Sequence, residues 1–315
     1  MFASEVKQFM PRSHLMLSLM KYFFFLVLCG LPLTSVAQKM VIGTSQSFRQ
    51  TQGRPYEYAD SVWVDSSRLT LFYRHERMVD STDRTMRWSL IRMRIGEGFA
   101  QQTDMHIYLG NRRLCAMVRN QDMLPLDYIG RFGDNNPPYW ADMILDRRKR
   151  EMKITCCNFY SSAGPLTYRE DMPELTWDLL DGTEEVCGYE CHMAQTSFRG
   201  RIWKAWYSTE LPINLGPWKL SGLPGLILKA TDRQGAYSFV CTEILSNPEP
   251  IYEYIPRSAN VVSRKDYLRY EKLYHKDPQY VIAEGEEIFV LRNDQQGLTE
   301  FDEFWEIPYN PIELE

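Results

Sequence analysis

Residues 185–244 constrain the fold most, because short apolar segments alternate there with turn residues over the whole stretch. Two such segments flank Arg199-Gly200, which is typical of a β-hairpin. Leu226-Ile227-Leu228 forms the next segment, and a turn at 232–235 leads into a returning segment at 237–244. Consecutive strands joined by such short turns pair antiparallel. The stretch therefore predicts an antiparallel meander.

Alternation of apolar and polar residues predicts further strands outside this stretch. Ile91, Met93 and Ile95 alternate with arginines, which is the period of a half-buried strand. Residues 105–109, 152–156, 281–282 and 288–291 are predicted as strands too, whereas the Gly, Asn and Pro content of 131–138 predicts a loop.

One helix is predicted from Ser263 to Lys276. Ser263 followed by Asp266 resembles a capping box, and Pro278 ends the helix. Four apolar residues fall on one helical face and are expected to pack on a sheet: Leu268, Tyr270, Leu273 and Tyr274. The fold class predicted is thus mainly β, an antiparallel meander sheet, curved or half-barrel in shape, with a few helices packed on it.

The first 37 residues have the pattern of a secretory signal peptide. Lys21 precedes an apolar run at 22–33, and Ser35-Val36-Ala37 follows with small residues two apart. Cleavage is expected after Ala37, which leaves 38–315 as a single β-rich domain in the periplasm or outside the cell. A membrane anchor, or a lipid on Cys29, is the alternative. No second apolar stretch approaches the ~20 residues of a spanning helix.

Charge argues against a nucleic-acid partner. The formal net charge is -5, and phosphates call for a basic face. The one dense basic run, at 146–150, is interpreted as a solvated strand end rather than an anion-binding patch.

Six cysteines remain once Cys29 is removed with the signal peptide. An even set in an oxidising compartment favours disulfides, although buried free cysteines are the alternative. The disulfide candidates are Cys115, Cys156, Cys157, Cys187, Cys191 and Cys241.

Cys187, Cys191 and His192 are the candidate metal ligands, since sulfur and imidazole suit copper or zinc. Strand geometry opposes this hypothesis. Neighbouring side chains diverge, and Cys187 would lie about 13 Å from Cys191 unless Gly188 breaks the strand. A disulfide or a core role is therefore the better interpretation for these cysteines. The remaining histidines include His75 and His275, which are predicted to be exposed.

Aromatic residues make up 13% of the chain, and several of them surround one Gly- and Pro-containing turn. Pro224-Gly225 is predicted to form a type II turn, with Gly225 supplying a positive φ. This segment is either a binding surface or part of a large aromatic core. The candidate binding residues are Trp203, Trp206, Tyr207, Trp218, Gly222, Leu223, Pro224 and Gly225.

The words Gly-Leu-Pro-Gly-Leu-Ile at 222–227 give the chain its resemblance to the GLPGLI family. Matching motifs accompany them in order: Gly188-Tyr189-Glu190-Cys191, Trp206-Tyr207, Gly216-Pro217 and Asn310-Pro311-Ile312-Glu313-Leu314. Where the family usually has a lysine, this chain has Met193. The resemblance implies an exported bacterial protein, and the activity of the family is not established.

Known catalytic and cofactor motifs are missing from the sequence, so no catalytic residue and no cofactor is assigned. The function expected is a non-catalytic binding or assembly factor of the cell envelope, whose partner is an envelope protein or an apolar ligand. A carrier for a lipid or other apolar ligand is one alternative. A metal-handling or hydrolytic enzyme is the other, since paired carboxylates leave no linear signature.

Overall fold

A computed structural model describes nine parts of the chain: 40–43, 58–106, 108–109, 142–156, 166–256, 260–276, 289–294, 297–300 and 308–315. The predicted signal peptide, the loop at 131–138 and the strand at 281–282 lie outside the described residues, as do Cys115 and Cys157. The chain divides into two compact units. One comprises 1–42 and 290–301, and the other comprises 43–289 and 302–315.

Sixteen strands and one helix are assigned within the described residues. The strands are β1 (Met40–Gly43), β2 (Tyr58–Met78), β3 (Met86–Gly96), β4 (Phe99–Asp104), β5 (Asp142–Asp146), β6 (Glu151–Cys156), β7 (Leu166–Asp171), β8 (Asp178–Val186), β9 (Tyr189–Phe198), β10 (Arg201–Ser208), β11 (Leu226–Asp232), β12 (Tyr237–Leu245), β13 (Pro250–Pro256), β14 (Asn260–Val261), β15 (Phe289–Asp294) and β16 (Gly297–Glu300). The helix is α1 (Arg264–Lys276).

The strands form one small sheet and one large sheet. The small sheet has the order β1-β15-β16. The large sheet has the order β14-β7-β6-β5-β4-β3-β2-β12-β11-β10-β9-β8, and β13 pairs with β2 beside it. Its strand pairs are antiparallel except for β14 with β7. The mainly β fold predicted from the sequence is confirmed, and the sheet is not closed into a barrel.

The meander predicted for 185–244 is confirmed in its strands and turns. The hairpin β9–β10 turns at Arg199-Gly200, where both residues have positive φ angles of 51° and 74°. A primed two-residue turn of this kind matches the twist of the strands it joins. β11 and β12 then continue the sheet to β2.

The strand predicted at 105–109 is wrong. The strand of this region is β4, and residues 105, 106, 108 and 109 are helical. The Asp104 carboxylate accepts a hydrogen bond from the His106 backbone N–H at 2.9 Å, as a helix-capping side chain does. A local cap therefore outweighs the alternating apolar pattern.

The predicted helix is confirmed as α1, with Ser263 as its cap. The Ser263 hydroxyl accepts from the Asp266 N–H at 3.1 Å and donates to the Asp266 carboxylate at 2.6 Å. The predicted apolar face is only partly right, because Leu273 is exposed while Tyr267, Glu271 and His275 are buried. In the part of the chain described here, no helix is long and apolar enough to cross a membrane.

Candidate functional site

The candidate aromatic residues are all buried, Trp203, Tyr207 and Trp218 on the core side of the sheet and Trp206 on its other side. Trp203 is 0% exposed, and its ring centroid lies 5.3 Å from that of Trp218 and 6.2 Å from that of Phe239. Trp206, Tyr207 and Leu223 are also buried, whereas Gly222 and Pro224 are exposed. Of the two interpretations that the sequence left open, an aromatic core agrees with the positions of Trp203, Tyr207 and Trp218.

The Gly-Leu-Pro-Gly turn packs closely against the backbone of Ser208. A Cβ on Gly225 would lie 2.1 Å from the Ser208 carbonyl oxygen, which no side chain tolerates. The predicted positive φ at Gly225 is wrong, because the positive φ falls on Gly222, at 95°. The first glycine thus supplies the left-handed conformation, and the second leaves room for β10.

Residues 310–314, the last motif of the resemblance, are held in place by Arg201. Its guanidinium donates to the Ile312 carbonyl at 3.0 Å and to the Asn310 side-chain oxygen at 2.9 Å. The same group forms an ion pair with Asp232 at 2.8 Å, in which both side chains are buried. The Asn310 amide in turn donates to the Met78 carbonyl at 2.7 Å. The C-terminal segment is therefore fixed to β10 and to the end of β2.

A buried ion cluster lies where this segment meets the loop between β10 and β11, which we call the motif loop. We define the ion cluster as Lys219, Glu170, Glu313, Arg199 and Arg264. The Lys219 ammonium is 1% exposed and pairs with both Glu170 and Glu313. Arg199 reaches Glu170 at 2.9 Å, and Arg264 from α1 donates to Glu313 at 2.8 Å. Burial raises the pKa of Glu313, but Lys219 and Arg264 outweigh it and hold the pKa below its usual value.

Glu271 lies next to the ion cluster, but its pKa is shifted upward, opposite to that of Glu313. Burial raises its pKa to about 8, although hydrogen bonds from the Tyr267 and Tyr309 hydroxyls, at 3.1 and 3.2 Å, act in the opposite direction. A cavity beside it is also lined by Cys156 and Lys219, and its volume is about 20 Å³. This volume holds a water molecule and no larger ligand.

Two histidines predicted to be exposed are buried. His75 stacks on Phe239 with ring centroids 4.3 Å apart, and burial lowers its pKa to about 3. His275 lies on the buried side of α1, with its ring 4.8 Å from that of Tyr309. Their sequence neighbours are charged, and only long-range pairing brings them into the core.

The four described cysteines are free thiols: Cys156, Cys187, Cys191 and Cys241. Cys187 and Gly188 form the turn between β8 and β9, so Gly188 does break the strand. Cys191 is buried and His192 is exposed, so the two side chains diverge. The described residues contain no group of three or more His, Cys, Asp or Glu side chains placed to hold a metal ion.

One face of the large sheet carries side chains from seven adjacent strands. Directly opposed residues share a face, and we define the outer face by two such cross-strand rows. The first row is Leu180, Met193, Trp206, Lys229, Val240, Arg74 and Leu90. The second is Asp178, Gln195, Lys204, Thr231, Ser238, Glu76 and Trp88. Ala205, Ala230 and Phe239 lie between these rows and are buried in the core.

Cations cover two aromatic rings on the outer face. The ammonium groups of Lys204 and Lys229 lie 4.9 and 4.3 Å from the Trp206 ring centroid, and this ring is buried. The Arg74 guanidinium lies 5.7 Å from the centroid of Trp88, which is 56% exposed. The outer face thus combines flat aromatic surface with positive charge, and the sequence analysis did not single out Trp88.

These features define a mainly β protein whose motif loop and C-terminal segment are joined by buried charges. Residues 196–229 match a family model described as "Protein of unknown function (Porph_ging)". This range covers the β10 aromatic residues and the whole Gly-Leu-Pro-Gly-Leu-Ile motif at 222–227. The search of curated proteins found no match.

Two solved structures of PNGF-II, in space groups P21 and C2, are similar to the chain. Their TM-scores are 0.41 and 0.39, and each is 13% identical to this chain. In both cases the match covers 65% of this chain and 33% of the PNGF-II chain. The chain therefore spans about a third of the length of PNGF-II, and a likeness at this level carries no functional argument.

Proposed function

We propose that the protein is an exported, non-catalytic binding or assembly factor of the cell envelope, and that it binds its partner on the outer face. The observation that carries the proposal is the exposed Trp88 ring beside Arg74, on a sheet face seven strands wide. Exposed aromatic surface next to cations is common where proteins bind partners.

Membership of the GLPGLI family is part of the proposal. The family-model match includes Trp206-Tyr207 and Gly222–Ile227, which are two of the motifs behind the resemblance. The C-terminal motif at 310–314 contacts β10 through Arg201, so the motifs support one another in space. Export to the periplasm or beyond is supported by the charge and apolar pattern of residues 21–37.

The chemistry of the outer face supports an acidic envelope protein as the partner. Lys229 is paired with Glu184 at 2.6 Å and Arg74 with Glu76 at 2.7 Å. Lys204 approaches the same Trp206 ring as Lys229. An envelope protein with carboxylates around a flat apolar patch would match this pattern. Its carboxylates would compete for the cations, and its apolar surface would cover Trp88.

The interior gives less support to the two other functional classes. A carrier needs a dry cavity of several hundred Å³. Among the described residues, two cavities in the core of the large sheet have about 20 Å³ each. The carboxylates of the ion cluster are paired with cations, as expected of a group that stabilises the fold.

Affinity capture from native envelopes tests the proposal. The wild-type chain is compared with the double variant Trp88→Ala and Lys204→Glu, and captured proteins and small molecules are identified by mass spectrometry. Trp63→Ala is the matched control, because Trp63 is 60% exposed but lies on the part of β2 that pairs with β13.

We expect an acidic envelope protein that the double variant captures at least about tenfold less, and the Trp63→Ala control equally well. Thermal unfolding of the three proteins shows that each is folded. Capture of the same set by all three would contradict the proposal. Recovery of a small apolar molecule in place of a protein would favour a carrier.

A further inference from the structure

The large sheet ends on a strand whose outer edge is exposed. β8 is the last strand in the sheet order, and within the described residues it pairs with β9 alone. Eight of its nine residues are exposed, and only Val186 is buried. An edge strand presents unpaired N–H and C=O groups, and these can pair with a further strand. The sheet can therefore be extended at β8.

The geometry of the β8–β9 hairpin shows which backbone groups of β8 face outward. Val186 and Tyr189 are paired and flank the two-residue turn Cys187-Gly188, whose φ angles are 55° and 82°. Beside such a turn the first pair is hydrogen-bonded, and the pairs that follow alternate between non-hydrogen-bonded and hydrogen-bonded ones. Glu185 and Thr183 fall on non-hydrogen-bonded positions. Their N–H and C=O groups therefore point away from β9.

An apolar row of the core reaches this edge and ends on an exposed residue. Leu179 in β8 is followed across the sheet by Ala194, Ala205 and Ala230, each opposite the next. The three alanines are 0% exposed, whereas Leu179 is 68% exposed. Removing an apolar side chain from water is favourable. An added strand with an apolar residue beside Leu179 would continue the row and cover its end.

The charge of β8 determines which strand can be added. The strand has no basic residue and four carboxylates, which are Asp178, Asp181, Glu184 and Glu185. Glu184 is paired with Lys229, but Glu185 lies directly opposite Glu190 of β9. Like charges in this arrangement destabilise a sheet. Cationic side chains on an added strand would relieve the repulsion.

We propose that β8 binds an extended, basic segment of a partner protein, which adds to the large sheet as a further strand. Backbone hydrogen bonds to β8 supply affinity, and alternate side chains of the segment supply specificity. Its apolar residues cover Leu179, and its lysine or arginine side chains pair with the β8 carboxylates. The site is the edge of the sheet, so the proposal does not depend on the outer face and its partner.

A second copy of the chain is a poor occupant of the same edge. In an antiparallel pair of β8 strands centred on Gly182, Leu180 of one copy would lie opposite Glu184 of the other, and the four carboxylates of each strand would meet. The register with β9 also shifts at Asp181-Gly182. Charges and bulges of this kind prevent identical edges from pairing. The edge thus disfavours its own copies and favours a basic strand.

The first test compares two peptides on the full wild-type chain. The probe is a fluorescent peptide of about seven residues that alternates lysine with valine, which is an ordinary strand length. The matched control alternates lysine with proline, so it keeps the positive charge but lacks backbone donors and cannot join a ladder. By fluorescence anisotropy, we expect the lysine-valine peptide to bind at least about tenfold more tightly than the control. Equal affinities would overturn the proposal.

A proline in β8 tests the role of the backbone. Thr183→Pro removes an outward N–H group and should weaken binding of the lysine-valine peptide about tenfold. Thr183→Val keeps this N–H group and should retain binding. Circular dichroism and thermal unfolding show that each variant is folded. If Thr183→Pro does not fold, the comparison of the two peptides on the wild type still decides the question.

A charge variant tests the role of the carboxylates. The double variant Asp181→Asn and Glu185→Gln should bind the lysine-valine peptide about fivefold more weakly. Glu97→Gln, at an exposed carboxyl between β3 and β4, is the control and should bind as the wild type does. An equal effect in the two proteins would contradict pairing with the β8 carboxylates.

Carbodiimide coupling locates the bound peptide, because this reagent joins an amine to a carboxylate that touches it. Mass spectrometry should find the peptide lysines coupled to Asp181 or Glu185. Coupling confined to carboxylates outside β8 and Glu190 would overturn the proposal, and so would absence of binding. A wild-type dimer that Thr183→Pro dissociates would also overturn it, since β8 would then pair with a second copy.

Discussion

Lys219 is the residue whose position depends most on its partners. Transferring an ammonium group from water into the interior costs several kcal/mol. The cost is offset here by contacts with Glu170, Glu313 and the Tyr168 hydroxyl, the last at 3.3 Å. These partners come from β7 and the C-terminal segment, so Lys219 connects three parts of the chain.

Replacing this lysine by an apolar residue of similar length is expected to destabilise the fold. Lys219→Met leaves two buried carboxylates with fewer cations, and the free energy of unfolding should fall by about 3–5 kcal/mol. Urea unfolding measures the change. The control is Arg68→Met, which removes the exposed Arg68–Glu97 ion pair and should cost at most about 1 kcal/mol. Equal losses in the two variants would contradict this account.

At this scale, the burial of charged and polar residues could not be predicted from the sequence. His75, His275, Lys219 and Glu271 are buried, although isolated residues of these types are usually exposed. The partners that make their burial possible lie far away in the sequence, as Glu313 does from Lys219. The composition of the chain and the spacing of its apolar residues do not tell which distant residues will pair.

At the scale of elements, α1 packs through a polar stripe. Tyr267, Glu271 and His275 are spaced four residues apart and all face the interior. Tyr267 stacks on Tyr168 from β7, with ring centroids 5.2 Å apart. The helix is thus attached to the sheet by aromatic contacts around a carboxyl group that is protonated at neutral pH.

The attachment of α1 should weaken as pH rises. Between pH 4.5 and about 8 the folded chain keeps a proton on Glu271 that the unfolded chain has lost. The free energy of unfolding therefore decreases through this window because of Glu271 and levels off above pH 8. In Glu271→Gln this contribution should be missing, which urea unfolding at several pH values will show. A parallel pH dependence in the two proteins would contradict the assignment, and Glu97→Gln at an exposed carboxyl is the control.

Elements formed by local signals were predicted well. The β9–β10 hairpin and the cap of α1 depend on residues within four positions of each other, and both are confirmed. The helical turn after β4 was missed because one hydrogen bond from the His106 N–H to Asp104 decides it. The outer face was also missed, because the cross-strand register that assembles it is not readable from one strand.

At the scale of the whole molecule, the C-terminal segment joins β2, β10 and α1. Arg201 binds Ile312 and Asn310, and Arg264 binds Glu313. β2, β10 and the helix α1 therefore share one point of attachment.

Arg201→Met should release this segment and destabilise the whole molecule. It leaves Asp232 buried without its cation, and the expected loss is about 3–5 kcal/mol. Hydrogen exchange should show faster exchange at 310–314, measured by mass spectrometry. Adding Asp232→Asn removes the unpaired charge and should recover part of the stability but not the slow exchange of the segment. Recovery of both would mean that Arg201 does not hold the segment.

The attachment of residues 310–314 also sets an order of events during synthesis. Lys219 and Arg201 leave the ribosome about a hundred residues before Glu313, which is roughly 5–20 s at ordinary rates of translation. Throughout that interval the cations have no complete set of partners, and burying them is unfavourable. The attachment of the sheet and the helix through residues 310–314 can therefore form only when those residues are available.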